Sequence, residues 1–390
     1  MTTDRLRAVV VGGSIGGLAA AVLLRDLGWQ VDVYERSTEA LRHRGAGIVV
    51  LPTTERYFVE RGHGRRVSLR LTYWTYVDQT GRVLSATPDG YRFGSWTTIY
   101  RSYLEAFDSD RYHLRSEMVD LILDDRRPGI VLRDGRRLHA DLVVCADGVA
   151  STARGILLPD THPVYAGYVA WRGTFPEERL SRKARELFRD AMVYQVLDHS
   201  HILVYAIHGS EPGSRLMNFV WYRNYPTGGP FEDLMTGVDG ELRPSTLPPG
   251  LVRPEHLAEM RAAAEALAPP LREVVIGSND VFIQAIFDLE SPRMVFGRTI
   301  LMGDAAFVAR PHVAAGTAKA CADAWALHET LRDAASLSDA LAEWEPRQLA
   351  LGRSVVERSR RMGTRSQFEG SMFPGDPEWK FGLFGPEVPG

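Results

Sequence analysis

Cysteine is nearly absent from this 390-residue chain: Cys145 and Cys321 are the two present, each in an apolar stretch. Two thiols cannot brace a disulfide scaffold, and apolar surroundings are the usual setting of a small buried thiol. Long apolar runs are missing too, none approaching the about 18 residues of a membrane span. The first such run, Ala8–Val11, is too short for a signal-peptide core, so a cytoplasmic protein with no membrane partner is expected. Charge of one sign is also lacking. A formal net charge of −3 leaves no basic surface for nucleic acid. No metal is expected. What is present is ordinary globular composition, 45% hydrophobic and 24% charged, in a chain long enough for two or three domains or one large domain with an inserted sheet.

The stretch Arg7–Arg36, RAVVVGGSIGGLAAAVLLRDLGWQVDVYER, organises the rest. Ala8-Val9-Val10-Val11 suits a buried parallel strand. The turn Gly12-Gly13-Ser14-Ile15-Gly16-Gly17 opens a helix over Leu18–Leu27, which Gly28 stops. Val31–Tyr34 is a second strand with Glu35 at its end. Such a βαβ unit holds a diphosphate at the positive end of a helix, and an acidic residue at this distance accepts hydrogen bonds from a ribose diol. In the G-x-G-x-x-G frame the matched positions are Gly12, Ser14 and Gly17, so a serine replaces the middle glycine, and its hydroxyl could itself bond a phosphate. An ordinary α/β turn is the plainer alternative.

Beyond Glu35, a loop with Arg42, Arg44 and Gly45-Ala46-Gly47 precedes the strand Ile48–Leu51, its glycines allowing close approach to something flat. Residues 67–99 read as a ribbon or small sheet, a helix starts at Tyr100, and Met118–Ala140 reads as a meander turning at Asp134-Gly135. The apolar strand Leu142–Ala146 ends in Asp147-Gly148 and a short helix bearing Arg154. From Val164 to about Phe287, aromatic and β-branched strands predict a mostly antiparallel second lobe. A helix is expected over Glu255–Ala268. Thr299–Met302 repeats the earlier logic, an apolar strand ending in Gly303-Asp304. It runs on to Pro311-His312, to Gly316 at a helix start, and to a last helix over Leu337 to about Met362. The fold class is α/β, a Rossmann-like dinucleotide-binding domain with a β-sheet-rich substrate domain. Residues 1–160 and 291–366 form the first, 161–290 the second, and 367–390 an extended tail lying over the protein or a neighbour, which makes a homo-oligomer plausible.

Gly12 to Glu35, Asp147-Gly148, and Gly303-Asp304 with Pro311 and Gly316 together resemble the three fingerprints of the class A flavoprotein aromatic hydroxylases, the family of para-hydroxybenzoate hydroxylase, over residues 7–365. The runs Tyr165–Gly173 and Arg310–Gly316 and the tail's Phe381-Gly382-Leu383 are similar to its hydroxypyridine-hydroxylating members. The resemblance implies FAD as cofactor. Gly12, Ser14, Ile15 and Gly17 would lie at its pyrophosphate, Glu35 on the adenosine ribose, Arg36 beside the adenine, Arg101 near the phosphates and Asp304 on the ribitol. Gly316, Thr317 and Ala318 would face the flavin N1/O2 edge, and Gly47, Ile48, Met118, Asp147 and Pro311 complete the cofactor set. The family's Gly-Gln-Gly-Met-Asn is here Ala315-Gly316-Thr317-Ala318-Lys319, so Lys319 would add positive charge nearby. For Asp147 the alternative is a helix cap, and Arg154 reads as a structural contact.

By the same resemblance, NADH or NADPH reduces the flavin, oxygen adds to give a C4a-hydroperoxide, and its distal oxygen passes to an electron-rich ring, a hydroxypyridine being favoured. The partners are then a small aromatic substrate, O2 and NAD(P)H. With no second G-x-G-x-x-G unit, NAD(P)H has no domain of its own. His312 and His208 are the candidates to handle the substrate's hydroxyl proton, and Tyr194, Tyr205, Tyr222 and Arg310 the candidates to touch substrate. Each tyrosine has packing as its plainer reading. The alternatives are a phenol or polyketide tailoring hydroxylase and a non-catalytic flavin-binding redox sensor. A flavin halogenase is disfavoured because the Trp-x-Trp-x-Ile-Pro run is absent.

Overall fold

Ala8, Val9, Val10 and Val11 are all buried, as an apolar strand with parallel neighbours on both edges must be. Strand Arg7–Val11 pairs in parallel with Gln30–Tyr34 on one side and Leu142–Cys145 on the other. The computed structural model describes residues 5–41, 47–62, 68–88, 90–209 and 213–384. Arg42, Arg44 and Gly45-Ala46, the loop expected to approach something flat, lie outside them. Across the first sheet the order is Val295–Phe296, Thr299–Leu301, Leu142–Cys145, Arg7–Val11, Gln30–Tyr34, Tyr112–His113. The chain leaves Arg7–Val11 to one side and later returns to the other. A crevice therefore opens at the carboxyl ends of Arg7–Val11 and Leu142–Cys145, where doubly wound sheets bind their ligands.

Helix Ile15–Asp26 covers this sheet and lies against Gly316–Asp333. The two approach closely because the contact is small: a Cβ added at Gly16 would stand 3.0 Å from the Ala320 Cβ. Gly28, at φ +86°, ends the first helix. The meander forms a separate three-stranded sheet, turning at Gly135 with φ +88°.

A larger sheet makes the second lobe. Its order is Thr246–Leu247, Phe282–Glu290, Val164–Pro176, Arg215–Asn224, Ser200–His208, Ala191–Leu197, Tyr73–Val77, Val83–Pro88. All neighbours are antiparallel except Ala191–Leu197 with Tyr73–Val77, which are parallel. Tyr73–Val77 and Val83–Pro88, expected within the first domain, thus complete the second sheet. Two apolar layers flank it. One packs under the helices of residues 254–277, and the other, rich in Tyr and Trp, faces the first domain.

Three boundaries differ from expectation. The helix expected at Tyr100 begins at Trp96. The one expected over Glu255–Ala268 ends at Ala263, and a further helix, Pro269–Gly277, starts at a proline whose fixed φ suits a first turn. The last helix, Leu337–Thr364, continues through Pro346 and ends in a π-helical turn, Arg365–Glu369. The tail then runs back over its own chain, burying Met372, Trp379, Phe381 and Leu383. Much of the tail's apolar surface is thus covered within one chain, while Phe368 and Phe373 stay exposed.

Candidate active site

The glycine turn is built for close approach. Gly12 sits at φ +96°, where a Cβ would meet the Ala146 carbonyl oxygen at 2.3 Å, and a Cβ at Gly17 would meet the Gly12 oxygen at 1.9 Å. Neither position admits a side chain. Ser14 caps the helix that follows without spending its hydroxyl on a capping bond, and no acidic residue occupies the first turn. The positive end of the helix is therefore open. Ile15 is buried beneath the turn. Glu35, also buried, accepts the Gly13 N–H at 2.8 Å and the Ser37 N–H at 2.9 Å. Each of its oxygens keeps a further lone pair. Arg36 is exposed beside it, and the Ser116 N–H donates to the Glu35 carbonyl. This brings the segment leading to buried Met118 against the end of the second strand.

Two aspartates stand at the ends of the neighbouring parallel strands. Asp147 accepts the Ser151 hydroxyl at 2.6 Å and the Ala153 N–H at 3.1 Å, so it caps the helix Thr152–Leu157 while also lining the cavity. Asp304 keeps its side chain exposed, opening directly on the cavity whose walls surround it. That crowding raises its carboxyl above the ordinary value; Lys319 and Arg154 oppose the shift and Asp323 adds to it. Arg154 is buried, donating to the Ala305 carbonyl at 3.0 Å and the Val149 carbonyl at 2.5 Å, and so ties the two aspartate loops together. Gly316 begins its helix with no side-chain cap and no acid in the first turn, and Gly316 and Thr317 line the cavity. Ala318 lies buried behind them. Lys319 adds its positive charge near Asp304, as expected, but is itself paired. Its Nζ donates to buried Asp323 at 2.8 Å, which matches it charge for charge.

These loops and the second sheet enclose a cavity of about 1530 Å³, lined among others by Arg36, Arg101, Gly47, Ile48, Pro311 and His312. The sheet pins Gly47 from three sides. Tyr205 Oη and Arg172 Nη2 each donate to its carbonyl at 2.8 Å, and its N–H donates to Asn218 Oδ1 at 3.0 Å. Tyr194, Tyr205 and Tyr222 all reach the wall, and burial raises all three phenols, Tyr205 to about 12. They remain protonated.

Two expected roles, those of Arg310 and His312, do not survive this geometry. Arg310 is not on the cavity wall; its guanidinium grips Asp288 with bonds of 2.7, 3.0 and 3.1 Å. His312 reaches the wall, but Nε2 is bonded to the Tyr168 hydroxyl at 2.7 Å and Nδ1 is buried without a partner. Burial, with His201 and Arg310 beside it, holds the ring well below its ordinary value, so it stays neutral and has no nitrogen open to a substrate proton. His208 lines the cavity at the far end of strand Ser200–His208, lowered by burial and Arg215. Seven residues of extended chain, about 23 Å, separate it from His201. Because the His201 ring lies 5.3 Å from that of His312, the two expected histidines do not share a site. His201 itself, 1% exposed and on the wall, escaped the sequence reading because it stands just before an apolar run, Ile202 to Ile207, with no motif around it.

A parallel sheet with glycine turn and two strand-end aspartates, facing an antiparallel lobe across a cavity, defines a dinucleotide-fold flavoprotein with a separate substrate sheet. A family model described as FAD binding domain-like matches residues 165–288, the antiparallel lobe. The 2,6-dihydroxypyridine 3-monooxygenase of Paenarthrobacter nicotinovorans is 39% identical over 385 residues, spanning 98% of this chain and 96% of its own. The 6-hydroxynicotinate 3-monooxygenase of Pseudomonas fluorescens is 30% identical over 86% of this chain and 85% of its own. The solved 2,6-dihydroxypyridine-3-hydroxylase from Arthrobacter nicotinovorans superposes with a TM-score of 0.94 at 38% identity, covering 99% of both chains. This chain belongs to the FAD-dependent aromatic-ring monooxygenases and is an FAD enzyme using NAD(P)H. Among the described residues no helix is long and apolar enough to cross a membrane.

Proposed function

We propose that the protein hydroxylates a hydroxypyridine-type ring. The observation that carries this reading is the flat-sided, aromatic end of the cavity. There Tyr222 and His201 stand 4.7 Å apart, with His312 4.5 Å from Tyr222 and Tyr194 5.9 Å from His201. A single aromatic ring fits such surroundings by stacking. The near full-length likeness to an enzyme named for 2,6-dihydroxypyridine points the same way.

The residues fit FAD. Gly12 and Gly17 leave a cradle that a Cβ would fill, Ser14 and its turn would hold the diphosphate, and Glu35 the adenosine ribose beside Arg36. Asp304, open to the cavity, would accept hydroxyls of the ribitol chain, and Arg101 would stand near the phosphates. When bound and reduced by NAD(P)H, FAD supplies the activated oxygen. The protein does the rest. The uncapped helix start at Gly316 favours negative charge beside it, the sheet lobe excludes water, and the tyrosine-lined pocket orients the ring. Cys145 and Cys321, both free and buried, suit a reducing compartment, and we place the enzyme in the cytoplasm.

The test is NADH and NADPH oxidation by the yellow protein against hydroxypyridines and phenols, with product and peroxide both measured. Hydroxylated product from a hydroxypyridine with little peroxide supports the reading. Peroxide alone from every hydroxypyridine, with product from a phenol, would reassign the substrate class.

A further inference from the structure

His201 lies at the closed end of the pocket among four rings: Tyr222 at 4.7 Å, His312 and Trp379 at 5.3 Å, and Tyr194 at 5.9 Å. Its Nδ1 is bonded to Ser366 Oγ at 2.5 Å, so Nε2 is the ring nitrogen left to the cavity. Ser366 and Gln367 are buried in the π-helical turn that follows the last helix. Asn224 Nδ2 holds that turn through the Gln367 carbonyl at 2.7 Å. The Gln367 side-chain amide nitrogen, oriented as the hydrogen bonds place it, donates to Ser366 Oγ at 2.9 Å. The hydroxyl that accepts from Gln367 keeps its own proton, and giving that proton to Nδ1 assigns the imidazole N–H to Nε2. His312, by contrast, has both nitrogens closed off.

We propose that His201, aligned by Ser366, is the hydrogen-bond donor that anchors a ring oxygen of the substrate, a pyridone carbonyl or hydroxypyridine oxyanion. This rests on the hydroxypyridine reading above. A neutral N–H directed at that oxygen fixes the ring's rotation within the aromatic box and favours its deprotonated, electron-rich form, which is the form an electrophilic oxygen attacks. Burial pushes the imidazole down to about 3, so the donor is uncharged at any working pH. His201 touches substrate; Ser366, Gln367 and Trp379 act through it as positioning residues. The C-terminal turn is thereby part of the substrate site although it lies more than a hundred residues from the strand it serves.

The experiment is a pair of titrations on FAD-loaded protein, 2,6-dihydroxypyridine and unsubstituted pyridine, followed by the change in the flavin spectrum, for wild type and for His201→Phe, His201→Gln and Ser366→Ala. FAD content and melting temperature are the folding controls. One lost hydrogen bond of ordinary strength predicts about tenfold weaker binding of the dihydroxypyridine to His201→Phe, with pyridine little changed. His201→Gln, whose amide reaches the Nε2 position, recovers much of the loss, and Ser366→Ala shows an intermediate one. Equal losses for both ligands, or wild-type affinity in His201→Phe, would overturn the proposal. Should His201→Phe fail to hold FAD, His201→Gln and Ser366→Ala decide the matter with the same ligands. Wild-type turnover separates the two readings: tight binding of the dihydroxypyridine without hydroxylation removes the proposed substrate and leaves His201 as the anchor of a bound ring.

Discussion

At the scale of single residues, two groups have consequences that can be measured away from turnover. Asp304 is the carboxylate that opens on the cavity with no protein donor of its own among the described residues. Replacing it with alanine removes charge-assisted bonds to the cofactor, each worth about 1.5–3 kcal/mol, so FAD affinity should fall at least about tenfold with the apoprotein still folded. Flavin fluorescence on dilution reads this directly. The second group is the buried histidine pair. In the unfolded chain a histidine takes up its proton near pH 6.5, whereas folded His201 does so only at about 3. Between those values the unfolded state binds more protons, so stability falls as pH falls, by about 1.4 kcal/mol per pH unit for each such histidine. Denaturant midpoints at pH 7.5 and 5.5 should show this loss, and His201→Phe should reduce it. Unchanged pH dependence in that variant would contradict the burial argument. His201 also marks the limit of sequence reading at this scale. Glycines and strand-end acids announce themselves by spacing, but a histidine in an apolar strand gains its meaning only from a turn far along the chain.

At the scale of elements, the glycine turn and the ion pair behind the pocket carry opposite kinds of risk. Gly17→Ala places a Cβ 1.9 Å from the Gly12 oxygen, so the turn must open. Loss of FAD together with a lower melting temperature is the expected outcome, checked by the absorbance ratio of purified protein. Asp288 is more buried than Arg310, the cation it pairs with. Removing the acid leaves an uncompensated buried guanidinium, and Asp288→Ala should cost about 3–5 kcal/mol in denaturant unfolding. A value under about 1 kcal/mol would show that solvent relieves the charge. The βαβ unit, both strand-end aspartates and the antiparallel lobe were legible in the sequence because periodicity and turn chemistry are local. The break before Pro269 and the early start at Trp96 were not, since tertiary packing moves helix ends more than it moves helix cores. Nor does Arg310 declare from sequence that its partner is Asp288 on a strand of the second sheet.

At the scale of the whole molecule, the cavity exists because two sheets, made from interleaved parts of the chain, are closed by a tail that returns to both. The Gly382 N–H donates to the Val313 carbonyl at 3.1 Å, Tyr91 Oη both donates to the Phe381 carbonyl and accepts its N–H at 3.1 Å, and Phe381 stacks on Trp74 at 4.7 Å. Cutting the chain after residue 370 should lower stability and, in the FAD-loaded enzyme, raise the share of NAD(P)H spent on peroxide, because Trp379 and Phe381 no longer shut out water. An unchanged ratio of product to peroxide would show that the tail serves stability alone. The sequence suggested a tail lying over something, and only the fold shows that it covers its own pocket.

The central claim is ring hydroxylation of a hydroxypyridine by the bound flavin, and the most direct measurement is turnover of 2,6-dihydroxypyridine under isotopically labelled dioxygen with mass analysis of the product. The account predicts one labelled oxygen atom on the ring and NAD(P)H consumed in equal measure. Unlabelled product, or NAD(P)H consumption that yields only labelled peroxide, would contradict it.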